Sequence, residues 1–181
     1  MWRQTGNSGE LERVVKDVER SRERTMNRAV KLLAAKPRSV IELRERLLEK
    51  PWTDETIVDA VIEKLKDYKY LDDEQYSRDL AVSQLRQKPQ GKRRLQQTMS
   101  RKKLDKEVVE AAINEAFEKL PEDKLIEQTI AKRLRIKGQP ETREDTKKFY
   151  DHLLRQGFGY DLIREKMAAI ANRSCAEYVD D

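Results

Sequence analysis

The sequence predicts an all-α protein: three tandem three-helix units stacked into an elongated, curved array, preceded by an extra N-terminal helix. Three observations carry that expectation. Charged residues make up 40% of the 181 positions and hydrophobic ones 37%, a balance that suits exposed helices and differs from β-sandwiches or disordered tails. Only 6 Gly and 5 Pro punctuate the chain. One pattern also recurs, as LLEKPWTDETIVDAVI from Leu47, MSRKKLDKEVVEAAIN from Met99 and LLRQGFGYDLIREKMA from Leu153, at spacings of 52 and then 54 residues. Self-similarity at a fixed period is the mark of a repeat architecture.

Residues 1–25 form the N-terminal extension, where Leu11, Val14, Val15 and Val18 trace one face of a helix. Unit one spans 26–70, unit two 71–120 and unit three 121–173, with 174–181 a loose tail. In each unit a first helix carries an apolar stripe: Ala29, Val30 and Leu33, then Ala81, Val82 and Leu85, then Leu125, Ile126, Thr129, Ile130 and Leu134. Pro37 and Pro89 end that helix at equivalent places, and Pro140 does so out of exact register. The second helices bury Leu43 and Leu47, Leu95 and Met99, Phe149 and Leu153. Trp52, Leu104 and Phe158 follow at equivalent places, Trp52 and Phe158 reading as core, and Ile57 with Val61, Val109 with Ile113, and Ile163 with Met167 mark third helices by their i, i+4 spacing. Ser39 with Glu42 predicts a capping box, and Thr53, Asp72 and Asp105 stand as N-caps. A fifty-residue unit buries little surface alone, so neighbours are expected to share core.

The same inventory disfavours catalysis. His152 is the single histidine and falls within a helix; Cys175 is the single cysteine, with no base beside it in sequence. No phosphate-binding glycine loop, dinucleotide fingerprint or zinc-protease motif occurs. The acidic run Asp72-Asp73-Glu74 reads as helix capping and not as a metal site, since no His or Cys lies near it. No cofactor, metal or catalytic residue is expected. A lone cysteine and the absence of a long apolar stretch point to a soluble cytoplasmic protein with no membrane contact, acting as a monomer.

Charge is unevenly placed. The chain carries +5 overall, yet Arg78 to Lys103 holds nine cations against Asp79 alone, a local +8 that leaves −3 for the rest. A basic middle in a slightly acidic protein marks a surface for an anionic partner. Its candidate binding residues are Lys88, Lys92, Arg93, Arg94, Arg101, Lys102 and Lys103. Lys92, Arg93 and Arg94 occupy the first turn of a helix, where the dipole favours carboxylates. The sequence therefore predicts that free backbone amides and three cations converge there on a phosphate or carboxylate.

The run Tyr70-Leu71-Asp72-Asp73-Glu74-Gln75-Tyr76, followed by the turn Lys88-Pro89-Gln90-Gly91-Lys92-Arg93-Arg94-Leu95 and then Gln96-Gln97, resembles the RecX family over roughly Thr25 to Asn172. Pro89-Gln90 stands where that family commonly carries a glycine and an aromatic residue. The resemblance implies tandem three-helix units that associate with the RecA filament on single-stranded DNA and inhibit its growth and strand exchange, without a cofactor. It also implies DNA binding, with double-stranded DNA a second candidate ligand. Two rival functions remain at this stage. A helix-turn-helix regulator needs one recognition helix aimed at base edges, for which Gln96 and Gln97 qualify, although three equivalent units argue against one special helix. A helical-repeat scaffold for other proteins needs no nucleic acid.

Overall fold

A computed structural model describes residues 17–177, with side chains described through residue 170. The predicted helix face at Leu11, Val14 and Val15, the side chain of Cys175 and residues 178–181 lie outside the described residues. Within them every regular element is a helix, and the chain divides after Asp72 into two compact units.

The first unit holds α1 (Val18–Ala35), α2 (Val40–Leu48) and α3 (Glu55–Asp67). Helix α1 starts ahead of Met26, because Asp17 caps it by accepting from the Arg20 amide at 3.0 Å. The repeat stripes supply the core, where Ala29, Leu43, Leu47, Val58, Val61, Ile62 and Leu65 pack together with Leu71 and the half-buried Leu33 lies against them, whereas Val30 of the predicted stripe is exposed. The capping box at Ser39 and Glu42 is present. Arg44 ties α2 to α3 through Asp59 at 2.7 Å and Glu55 at 3.2 Å.

Two local expectations are corrected here. Asp54, not Thr53, caps α3, accepting from the Ile57 amide at 2.8 Å. The buried Thr53 hydroxyl instead pairs with that of Thr25 at 3.0 Å, pinning the turn to α1. Trp52 is half-buried and stands outside the core cluster, its ring covered by the Arg24 guanidinium at 4.3 Å. A ring at a turn next to two basic side chains finds a cationic lid in place of an apolar pocket.

The second unit holds six helices: α4 (Asp73–Gln87), α5 (Lys92–Ser100), α6 (Lys106–Lys119), α7 (Glu122–Lys137), α8 (Arg143–Arg155) and α9 (Tyr160–Glu177). One core joins both sets of three. Ala81, Leu85, Leu95, Met99, Val109 and Ile113 from the earlier set meet Leu125, Ile126, Phe149, Leu153, Phe158, Ile163 and Met167 from the later one. Sharing a core offsets the small interior of a fifty-residue repeat. Asp105 caps α6 by accepting from the Glu107 amide at 2.8 Å. Helix α8, with 13 residues against 9 in α2 and α5, begins early because Thr142 caps it, accepting from the Asp145 amide at 3.1 Å. That extra length puts Pro140 out of the register set by Pro37 and Pro89.

Candidate anionic-partner interface

The seven candidate binding residues of the basic middle fall into two groups at opposite ends of α5, while Arg78 and Arg86 lie on α4. Lys88 lies in the α4–α5 loop and Lys92, Arg93 and Arg94 in the first turn; Arg101, Lys102 and Lys103 follow the last residue, Ser100. Nine residues at 1.5 Å each separate the groups by about 13 Å. The second group sits at the carbonyl end of α5, where cations are favoured by the dipole alone, and Lys103 completes the turn with φ of 53°.

At the first group the anion at the start of α5 comes from the chain itself. The Lys92 amide donates to Glu122 Oε1 of α7 at 3.2 Å, so a carboxylate from 30 residues away already occupies the positive end of α5. The Lys92 ammonium turns to Asn114 Oδ1 at 2.8 Å. Arg94 Nη1 donates to the Arg155 carbonyl at 2.9 Å and to Gln156 Oε1 at 3.0 Å. A cation misplaced on its own helix therefore answers the negative end of α8. Among the three, Arg93 is exposed and makes no hydrogen bond or ion pair among the described residues.

Two glycines set this junction. The Gly91 amide donates to the Gln156 carbonyl at 2.9 Å. A Cβ on Gly91 would overlap the Gly157 carbonyl and stand 2.5 Å from Phe158 N, while one on Gly157, whose φ is 90°, would stand 2.6 Å from Arg94 N. The start of α5 thus lies backbone to backbone against the turn after α8. In the sequence Gly91 reads as a turn former, although its conformation is ordinary extended backbone, φ −80° and ψ 168°. The close approach requires glycine there, not the torsion.

Sequence windows also miss a second basic group. Lys132, Arg133 and Lys137 on α7 and His152 on α8 surround a cavity of about 200 Å³ together with Lys88. Burial, then the charges of Arg133, Arg155, Arg94 and Lys88, push the His152 imidazole below its ordinary pKa and favour the neutral ring. No cluster of three His, Cys, Asp or Glu suited to a metal occurs among the described residues, Asp72 to Glu74 included. No described helix is long and apolar enough to cross a membrane.

Comparison with known proteins converges on one family. Residues 26–65 match the family model for "RecX, first three-helix domain" and residues 72–113 that for "RecX, second three-helix domain". Regulatory protein RecX of Clostridium botulinum (strain Alaska E43 / Type E3) is 30% identical over 148 residues, which cover 80% of this chain and 67% of that protein. Regulatory protein RecX of Prosthecochloris aestuarii is 29% identical over 144 residues, covering 80% of this chain and 91% of that one. The crystal structure of RecX from Lactobacillus salivarius has the same fold, with a TM-score of 0.73 at 20% identity over 84% of this chain and 98% of that one.

Proposed function

The chain belongs to the RecX family of regulatory proteins, and on that premise we propose that it binds the RecA filament on single-stranded DNA and inhibits filament growth, ATP hydrolysis and strand exchange. In that role it modulates recombination, DNA repair and the SOS response in the cytoplasm, as a monomer and without catalytic turnover. The observation that carries the proposal is the tandem match of two RecX three-helix domains, in order and on the helices α1–α3 and α4–α6. The basic middle supports an anionic partner, DNA phosphate or an acidic face of RecA. Within it Lys88, Arg93 and the Arg101 to Lys103 turn are the contacts, whereas Lys92 and Arg94 are hydrogen-bonded to other parts of the chain.

The test is RecA ATP hydrolysis and strand exchange on single-stranded DNA with the protein added at levels comparable to RecA. Both should fall in proportion to the amount added, as expected for a stoichiometric binder. Activity unchanged at equimolar protein removes the proposal. Arg93→Glu should weaken inhibition and, if phosphate is its contact, lower the log-log salt slope by about one unit while thermal stability holds. Arg94→Glu should lower the melting temperature, since it withdraws two hydrogen bonds and sets a carboxylate against the carbonyl end of α8.

A further inference from the structure

The cavity between the α4–α5 loop, α7 and α8 concentrates basic side chains. Lys88, Lys132, Arg133, Lys137 and His152 line it, and no carboxylate does. Acids do pair cations around these helices: within α8 Lys148 lies 2.8 Å from Glu144, and Lys166 of α9 lies 2.8 Å from Glu127 and 3.1 Å from Asp123 of α7. Lys88, Lys132 and Lys137 have no acidic partner among the described residues. Arg133 is held from behind, with Nη2 donating to the Lys148 carbonyl at 3.3 Å and the guanidinium 5.0 Å from the Phe149 ring, while its Nε is buried without a hydrogen-bond partner. Lys137 ends α7 and His152 sits in the last turn of α8, so helix carbonyl ends offset part of the mutual repulsion. That offset lets the cluster fold. It leaves four permanent cations, and no lining carboxylate, around one opening.

The wall between the cations is apolar. Ile136 is 62% exposed and lines the cavity beside the half-buried Pro89, with the amides of Gln128 and Gln156 at hand. The aliphatic surfaces of Ile136 and Pro89 offer an apolar contact to a sugar or base, and the cations suit the oxygens of a phosphate. At about 200 Å³ the space is below the roughly 300 Å³ of a typical ligand pocket, enough for a phosphate with part of its nucleoside and too small for a whole dinucleotide. We propose that this cavity is a phosphate-ester site seating one nucleotide unit, with the phosphate on Lys88, Lys132, Arg133 and Lys137 and the sugar and base along Pro89 and Ile136. The unit comes from a single strand of DNA or from a free nucleotide, and the site requires no RecA.

The only histidine of the chain reports on it. Burial is the larger cause of the depressed His152 pKa and the field of Arg133, Arg155, Arg94 and Lys88 adds to it; a bound phosphate counters that field and so raises the imidazole pKa. The full chain is titrated by proton NMR on the His152 ring with inorganic phosphate, thymidine 5′-monophosphate, a short oligothymidylate or hexaglutamate, at matched ionic strength. The mononucleotide or the oligonucleotide should raise the His152 pKa, and Lys132→Glu with Lys137→Glu should weaken that binding by about tenfold or more while the unfolding midpoint holds. A response to the oligonucleotide alone assigns a strand; a response to both admits a free nucleotide. The proposal is overturned if no phosphorylated probe moves His152, if hexaglutamate or inorganic phosphate moves it as far as the nucleotides do, or if the double variant responds like the parent. Because RecA is absent from this experiment, its failure leaves the filament proposal to be judged on ATP hydrolysis.

Discussion

Helices α2 and α5 start at equivalent points of the repeat, Ser39 and Gly91, 52 residues apart, and satisfy those starts in opposite ways. At α2 the solution is local: the Glu42 amide donates to Ser39 Oγ at 3.2 Å, and the Ser39 amide donates to Glu42 Oε2 at 3.4 Å. At α5 no side chain of the same turn caps anything. Glu122 from α7 takes the Lys92 amide, and Gln156 at the end of α8 takes that of Gly91. A locally capped helix can form as its own unit folds. One capped from 30 and 65 residues downstream is positioned only when the later helices are in place, which makes the turn after α8 part of the foundation of α5.

The largest test of this comparison uses the turn side chains that occupy equivalent positions, Phe158 and Trp52. Phe158 is 1% exposed in the shared core of the second unit, next to the backbone on which Gly91 rests. Phe158→Ala should cost about 3 to 5 kcal/mol and loosen the start of α5. Trp52→Ala removes a half-buried ring beneath Arg24 and should cost about 1 to 3 kcal/mol, since part of its surface is already in water. Chemical denaturation of the two variants, with hydrogen exchange on the α5 amides, measures both effects. Equal losses would mean the two turns are buried alike.

Gly91→Ala comes next. The added methyl meets backbone, not a movable side chain, so the α5–α8 contact must open, at about 2 to 3 kcal/mol. The loss should appear in the second unit, with amides of both α5 and α8 exchanging faster. A variant as stable as the parent would show that the two backbones do not meet.

How much of this the sequence discloses depends on the range of the interaction. Periodicity finds the stripes, because a repeated i, i+4 pattern has one physical solution: Leu43, Leu47, Leu95, Met99, Phe149 and Leu153 are all buried. Caps within one turn are nearly as legible, as at Ser39 and Asp105, although adjacent candidates compete, and Asp54 wins over Thr53 because the threonine is taken by Thr25. The meaning of Lys92 to Arg94 is hidden, since Glu122, Asn114 and Gln156 that answer them belong to other helices. A charge count along the chain likewise cannot place Lys132 and Lys137 beside Lys88.

The smallest effect separates the two caps themselves. Ser39→Ala deletes a fully buried hydroxyl that accepts from one turn of α2, and should cost about 1 kcal/mol, as for N-cap serines in general. Glu122→Ala removes an exposed contact to the Lys92 amide and also a carboxylate from the first turn of α7, where it is favourable to that helix. Each part is worth only a few tenths of a kcal/mol to about 1 kcal/mol at low ionic strength. The two losses should differ in their response to salt. Ser39 acts through a neutral hydrogen bond from a fully buried position, so its deficit should stay constant from low to high salt. The carboxylate of Glu122 acts through charge at the surface, and at about 1 M salt, where the Debye length is about 3 Å, most of its deficit should vanish. Denaturant melts of both variants at two salt concentrations measure this directly. If the Glu122 deficit persisted unchanged in high salt, its bond to Lys92 would be acting as a geometric link between α7 and α5, and the contrast between local and distant capping would rest on Gly91 alone.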